Sequence, residues 1–486
     1  MHTPTEEQAE IISKAKTTSD SILINALAGA AKTTTLEMIC GALPVQPILS
    51  LAFNKKIATE MEKRLPGHVK CQTLNSLGHR VWQSTCSSKL QVDKDKTYNI
   101  FKSILEPMKK SATSDAWEVY SLVRKAVAQA KLSGYIPDDL YPHAKRLISA
   151  EDFWSDTDED EDELVISLTE QILAESIKLS YKGLIDFDDQ IYMPTLFGGS
   201  FPRFPLVMVD EAQDLSAINH EMLLKLVTAR LMAVGDPYQS IYGFRGAVQE
   251  GMSQLQKRFS MTEMGLSVSF RCPVEIVKMA RKRAPHMQWA EGAIEGEVHY
   301  VDQWTGKDIP DGSSIICRNN APLFSCALRL LRSGRGIQMV GFDIGPGLVK
   351  VLKSFGSEAM SSEQVHQAIN QWETERLQKV KRSKAATADR ADCLRVFASA
   401  GPTLGAAIAY AESLFKSRGP IFLLSGHKAK GLEWENVFHL DPWRIPSEYA
   451  FTDAALEQEK NIEYVITTRS KNRLTHIDME GFDAKQ

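Results

Sequence analysis

The chain has 486 residues, 43 % hydrophobic and 24 % charged, with a formal net charge of −4. It exceeds the ~250–300 residues at which a single core stops growing, so several domains are expected. No apolar run reaches the ~20 residues that a membrane span needs, and the N-terminal "MHTPTEEQAEIISKAK" lacks the basic-then-apolar order of a signal peptide. The seven cysteines are scattered and form no CxxC pair, which argues against a zinc site or a disulfide framework and for a reducing cytoplasm.

In chain order, residues 21–80 alternate short apolar strands ("SILIN", "PILSLAF", "VKCQTL") with helix-like stretches ("KTTTLEMICGAL", "KKIATEMEKRL"). This is the rhythm of a parallel sheet covered by helices on both faces. Residues 88–190 turn to long amphipathic helical stretches. They include the acidic run "EDFWSDTDEDEDELV" (151–165), expected to be a solvated loop; without it the remainder of the chain is mildly basic. Strands return at "FPLVMVDEA" (204–212) and "RLMAVGD" (230–236). From about 262 a second α/β stretch begins, with "MGLSVSF", "EGEVHYVD" and "SSIICRN" as strands. Residues 357–417 read helical and polar, and strands resume at "PIFLLSG" and "NVFHLD". Two α/β units are therefore expected, each interrupted by a helical insertion.

The stretch "NALAGAAKTTTL" (25–36) follows a strand and opens a helix. Such a loop holds phosphate oxygens on backbone N–H groups at a helix N-terminus. Its lysine, here Lys32, reaches the outer phosphates, and its hydroxyl, here Thr33, ligates magnesium. Ala31 stands where glycine is usual. "LVMVDEAQD" (206–214) ends an apolar strand in two carboxylates, at the edge where parallel sheets bind ligands. Asp210 suits the magnesium, and Glu211 suits the attacking water.

"DEAQD", followed by "AVGDPYQSIYGFRGA" (233–247), resembles motifs II and III of superfamily 1 helicases of the UvrD/Rep/PcrA type. The likeness continues along most of the chain. "TPTEEQAEII" resembles the adenine-reading motif, with Gln8 as its glutamine; "LAFNKKIATEM" and "QTLNSLGHRVW" resemble motifs Ia and Ib. "VSFRCP" resembles the "NYRS" segment, "SGHKAKGLEWENVF" (425–438) motif V, and "NIEYVITTRSKNRL" (461–474) motif VI. The family loop reads AxxGxGKT, so Ala31 alone departs. A methyl there costs little at negative φ, but about 1–2 kcal/mol in left-handed geometry.

The resemblance implies two RecA-like parallel-sheet P-loop NTPase domains, each with a mainly helical insertion. Their parts would be residues 1–87 and 191–261 around an insertion at 88–190, then 262–345 and 418–486 around a reduced insertion at 346–417. It places ATP on Gln8, on Ala28, Gly29, Ala30, Ala31, Lys32, Thr33 and Thr34 of the loop, and on Phe270 (where the family has tyrosine), Glu433, Arg271 and Arg469. Magnesium falls to Thr33 and Asp210. Gln239 would sense the γ-phosphate, and Arg271 and Arg469 would meet its growing negative charge. DNA would lie on Phe53, Thr73, Asn75 (a histidine in the family), Tyr242, Phe244, Arg245 and His427. Aromatic rings stack bases with little sequence preference.

The implied activity is an ATP-dependent helicase or translocase moving 3′→5′ on single-stranded DNA, with tailed or forked duplexes as substrates. Its setting would be replication, repair or recombination, with proteins of those processes as partners. It is expected to be monomeric, away from membranes, in the cytoplasm, and of a size that suits a phage or mobile element. No duplex-splitting hairpin is legible in "THIDMEGFDAKQ", so movement on single strands is expected above strong unwinding. The alternative is a non-hydrolysing, ATP-binding regulator that binds DNA.

Overall fold

The structure, a computed structural model, describes residues 3–105, 114–137, 141–156, 163–241, 251–341, 344–379 and 384–483. It divides into two compact units: Met1–Ala26 with Ala31–Leu266, and Leu27–Ala30 with Ser267–Gln486.

In the first unit the strands are β1 (Ile22–Ala26), β2 (Ile48–Ala52), β3 (Val69–Thr73), β4 (Gln91–Val92), β5 (Leu184–Ile185), β6 (Phe204–Val209), β7 (Val227–Gly235) and β8 (Thr262–Leu266). The short β4 and β5 pair with each other, and the rest form a sheet in the order β3-β2-β6-β7-β1-β8. All of its pairings are parallel. The central strands are apolar on both faces, as helices covering both sides require; every residue of β2 is buried. The stretch "MGLSVSF", expected to open the second unit as one strand, is divided. Its first three residues end β8, which pairs with β1 as an edge of the first sheet (Ile22 opposite Thr262, Ala26 opposite Leu266). Alternating exposure along β8 fits an edge position.

The helical stretch between β3 and β6 has its own apolar core, including Phe101, Val123, Val127, Leu168 and Ile172. Its acidic run is helical at both ends, in Ala150–Asp156 and from Glu163, rather than a loop throughout. Residues 157–162 of that run lie outside the described residues. Beside this core sits a buried charge cluster. Lys96 Nζ meets Asp189 at 2.6 Å, and Lys131 Nζ meets Asp186 at 2.6 Å and Asp189 at 2.7 Å.

In the second unit β9 (Val268–Ser269) pairs with β10 (Gln288–Trp289). The main strands are β11 (Glu297–Val301), β12 (Ser314–Cys317), β13 (Ile337–Met339), β14 (Ile421–Ser425), β15 (Trp434–Leu440) and β16 (Ser470–Ile477). They form a six-stranded sheet in the order β11-β16-β15-β12-β14-β13, again parallel throughout. The helices of 344–417 are no separate body. Ile369, Leu394, Phe397 and Leu414 share one core with Ile315, Phe324, Leu330 and Ile337 of the sheet layer. The rings of Phe324 and Phe397 stack at 5.1 Å. Among the described residues, no helix is long and apolar enough to cross a membrane.

Candidate nucleotide site and nucleic-acid groove

The helix after β1 begins at Lys32, and Ala31 is its N-cap, at φ 54° and ψ 41°. The left-handed branch posed by the sequence is therefore the one realised. Ala31 has no side chain to cap with, but its carbonyl accepts the Thr35 N–H at 2.9 Å and the Thr35 hydroxyl at 3.1 Å. Gln8 is buried; its Nε2 donates to Thr35 Oγ1 at 2.9 Å, and its Oε1 accepts the Thr5 N–H at 3.0 Å. The Thr34 hydroxyl takes Arg64 at 3.0 Å. Within the second unit, the Ala28 N–H donates to the Tyr464 hydroxyl at 2.9 Å, and the Phe270 N–H to the Gly29 carbonyl at 2.9 Å. Gly29 has φ +76°, and a Cβ there would lie 2.5 Å from Ser269 Oγ. Glycine is required at this point.

β6 delivers Asp210 and Glu211 to the sheet's carboxyl edge. Asp210 is buried, and its Oδ1 accepts the Glu211 N–H at 2.9 Å. Burial, then the neighbouring Glu211 charge, pushes the Asp210 carboxyl up to about 7. Glu211 also lies in the left-handed region, at φ 54°. A run of side chains starts from it. Lys32 Nζ donates to Glu211 Oε2 at 3.3 Å, and Gln213 Nε2 donates to the same oxygen at 2.5 Å. Gln213 Oε1 accepts the Asp236 N–H at 3.0 Å, and Gln239 Nε2 donates to Asp236 Oδ2 at 2.7 Å. Burial alone would lower the Lys32 ammonium, but the carboxylates of Glu211, Asp236 and Asp210 outweigh it and raise its pKa. Gln213 and Asp236 were not singled out in the sequence. Their signal lay inside "DEAQD" and "VGDPYQ", as polar residues just beyond two apolar strands.

The second unit brings Arg271, Glu433 and Arg469 together. Arg271 Nε pairs with Glu433 at 2.6 Å. Arg469 is buried; its Nε donates to the Val465 carbonyl at 2.8 Å, and its Nη1 to the Leu432 carbonyl, beside Glu433, at 3.2 Å. Phe270 is 55 % exposed. His427 lies in the short helix Gly426–Ala429 directly after β14.

On the first unit, an open groove of about 1030 Å³ runs past the ends of β2 and β3. Phe53, Thr73 and Asn75 all line it, with Lys55, Lys70 and Arg80 as cations. Thr73 caps the helix Leu74–Thr85, its Oγ1 accepting the Ser76 N–H at 3.1 Å. Among the lining residues that the sequence reading did not single out is Phe187, which is 62 % exposed. Its signal was "IDFDDQ": a ring set among acids does not suit a core strand. Tyr242, Phe244 and Arg245 lie outside the described residues.

A phosphate loop and a strand-end acid pair, in a chain of two parallel six-stranded sheets, define a P-loop NTPase with two RecA-like domains. Comparison with known families carries this further. Residues 5–260 match the UvrD/REP helicase N-terminal domain, and residues 403–480 match the UvrD-like helicase C-terminal domain. The chain belongs to the UvrD/REP helicase family. Its relatives include the F-box DNA helicase protein 1 of Schizosaccharomyces pombe, 23 % identical over 97 % of this chain and 57 % of the relative. The ATP-dependent DNA helicase PcrA of Staphylococcus aureus is 26 % identical over 62 % of this chain and 43 % of its own length. A DNA helicase II of Haemophilus influenzae is 31 % identical over 23 % of this chain and 18 % of that protein. The chain thus spans about half the length of the first two.

Proposed function

We propose that this chain is the motor of an ATP-dependent DNA helicase or translocase, moving 3′→5′ on single-stranded DNA in replication, repair or recombination. The run Lys32–Glu211–Gln213–Asp236–Gln239 carries the reading. It links the residue for the outer phosphates, through Glu211 of the acid pair, to the segment that leads into Tyr242, Phe244 and Arg245. Glu211, held by Lys32 and Gln213, orients and deprotonates the attacking water. Magnesium fits the donor set, the Thr33 hydroxyl at the start of the helix after β1 and the buried Asp210 carboxylate at the end of β6, both hard oxygen donors, and when bound it would offset phosphate charge. Gln8, Phe270, Arg271, Glu433 and Arg469 keep the nucleotide roles that the resemblance implies. Phe53, Thr73, Asn75 and His427 belong to the DNA path, and the substrates are single strands and tailed or forked duplexes, engaged by a monomer.

The test is ATP hydrolysis with and without a single-stranded oligonucleotide. DNA should stimulate the wild type; Lys32→Ala should abolish turnover, and Glu211→Gln should reduce it by about 100-fold or more. A wild type that binds ATP yet turns over no faster than Lys32→Ala would instead support the non-hydrolysing regulator. Streptavidin displacement from 3′- and 5′-tagged strands checks the direction, and faster release from 3′ tags than from 5′ tags overturns it.

A further inference from the structure

Phe187 sits at the crown of the turn Asp186–Asp189, which is fixed from three directions. Across the turn, the Asp186 N–H donates to Asp189 Oδ2 and the Asp189 N–H to Asp186 Oδ1, each at 2.9 Å. From below, both carboxylates are gripped by the buried ammonium groups of Lys96 and Lys131. Lys96 is further held by the Ser176 carbonyl and the Ser180 hydroxyl, each at 2.8 Å. From the side, Asn75 Nδ2 donates to the Phe187 carbonyl at 2.8 Å. The helix bearing Asn75 lies so close to the next helix that a Cβ on Gly78 would stand 2.0 Å from the Gln190 carbonyl.

Burying such ions costs several kcal/mol each, and well-packed apolar residues would hold the helices at least as firmly. What paired charges supply beyond packing is direction. Here they direct a large apolar ring outward into the groove that also exposes Phe53 at 47 %. A ring fixed before binding loses less freedom when a base stacks on it.

We infer that Asn75 is a positioning residue: it acts on single-stranded nucleic acid through Phe187, by fixing the turn that the Lys96–Lys131–Asp186–Asp189 cluster anchors, rather than by touching the strand itself. The inference rests on the proposed DNA reading and deepens it. Asn75, taken from the sequence as a contact to the strand, becomes a support for one.

The test is a double-mutant cycle on the full chain. Affinity for a fluorescein-labelled oligothymidylate is measured by anisotropy, without nucleotide, for the wild type, Asn75→Ala, Phe187→Ala and the double variant. Thermal melts confirm that each variant folds. Phe187→Ala should weaken binding about 5- to 150-fold, the worth of one stacked base. Asn75→Ala should weaken it about 2- to 10-fold through lost ordering. In the Phe187→Ala background, Asn75→Ala should then change affinity by less than about 1.5-fold, because coupled residues are non-additive. An undiminished Asn75→Ala effect in that background means that Asn75 meets the strand directly, and overturns the inference. Wild-type affinity in Phe187→Ala also overturns it, while leaving the DNA reading intact. A wild type that binds no single strand overturns both.

Discussion

Ala31→Gly should stabilise this protein, although glycine inside a helix weakens a chain, because Ala31 is the N-cap of its helix and not an interior residue. Ala31 lies at φ 54° and ψ 41°, where a Cβ crowds the backbone. That crowding costs about 1–2 kcal/mol, and glycine removes it. Glycine also frees the unfolded chain, which returns about 0.4–1 kcal/mol. The net gain is about 0.5–1 kcal/mol, or about 2 °C in Tm for a domain of this size. Nucleotide affinity should rise by at most about 30-fold, since relief of loop strain cannot exceed the strain itself. Ala31→Val supplies the opposite control, because a β-branched side chain is a worse fit at positive φ. Urea unfolding gives the stabilities, and the KM for ATP gives the loop's share. A neutral or destabilising Ala31→Gly, or a neutral Ala31→Val, refutes the reasoning.

Three further outcomes are expected. His439 and His476 face each other on β15 and β16, and burial lowers them to about 3 and about 4, respectively. The unfolded chain therefore binds more protons below pH ~6.5, and each histidine withdraws about 2 kcal/mol of stability between pH 6.5 and 5. Urea midpoints at those two values should fall steeply for the wild type and less for His439→Leu/His476→Leu; equal slopes refute the assignment. Gly78→Ala should destabilise by about 1–3 kcal/mol through overpacking, since the added methyl meets the Gln190 backbone. A calorimetric melt matching the wild type would contradict that contact. Phe397→Ala should cost about 3–5 kcal/mol. Because the 344–417 helices share a core with their sheet, the second unit should still melt in one step, and a separate early transition for those helices would show otherwise.

Much of this was legible because the chemistry depends on residue type at strand ends. Asp210 and Glu211 follow four apolar residues, and Lys32 follows a strand and a turn, so their placement needed little beyond the βαβ rhythm. Less legible were features set by pairing partners rather than local pattern. Residues 262–266 look like the start of the next unit, and only the register with β1 shows that they complete the first sheet. β16 escaped notice because "SKNRLTHI" mixes polar and apolar residues, a strand by virtue of lying between β11 and β15. Asn75 carries no mark in sequence of its bond to the Phe187 carbonyl, 112 residues away. The φ of Ala31 could be posed as two alternatives, but it is set by the loop's three-dimensional course.

The candidate nucleotide site stores backbone strain on both sides of one ion pair. Ala31 adjoins Lys32, and Glu211 is its partner; both have φ of 54°. Left-handed geometry in non-glycine residues persists only where the surroundings over-determine it. At Glu211 the strain cannot be relieved by glycine without deleting the carboxylate that Lys32 and Gln213 hold, so strain and chemistry are inseparable there. At Ala31 the side chain is a methyl that takes no part in the chemistry, and relief removes nothing the site uses. If strain at both positions were part of the mechanism, Ala31→Gly would gain stability but lose turnover. If only the Glu211 geometry matters, as the bonding of its carboxylate argues, Ala31→Gly gains stability and keeps the wild-type kcat. Measuring both quantities on the one variant separates the two.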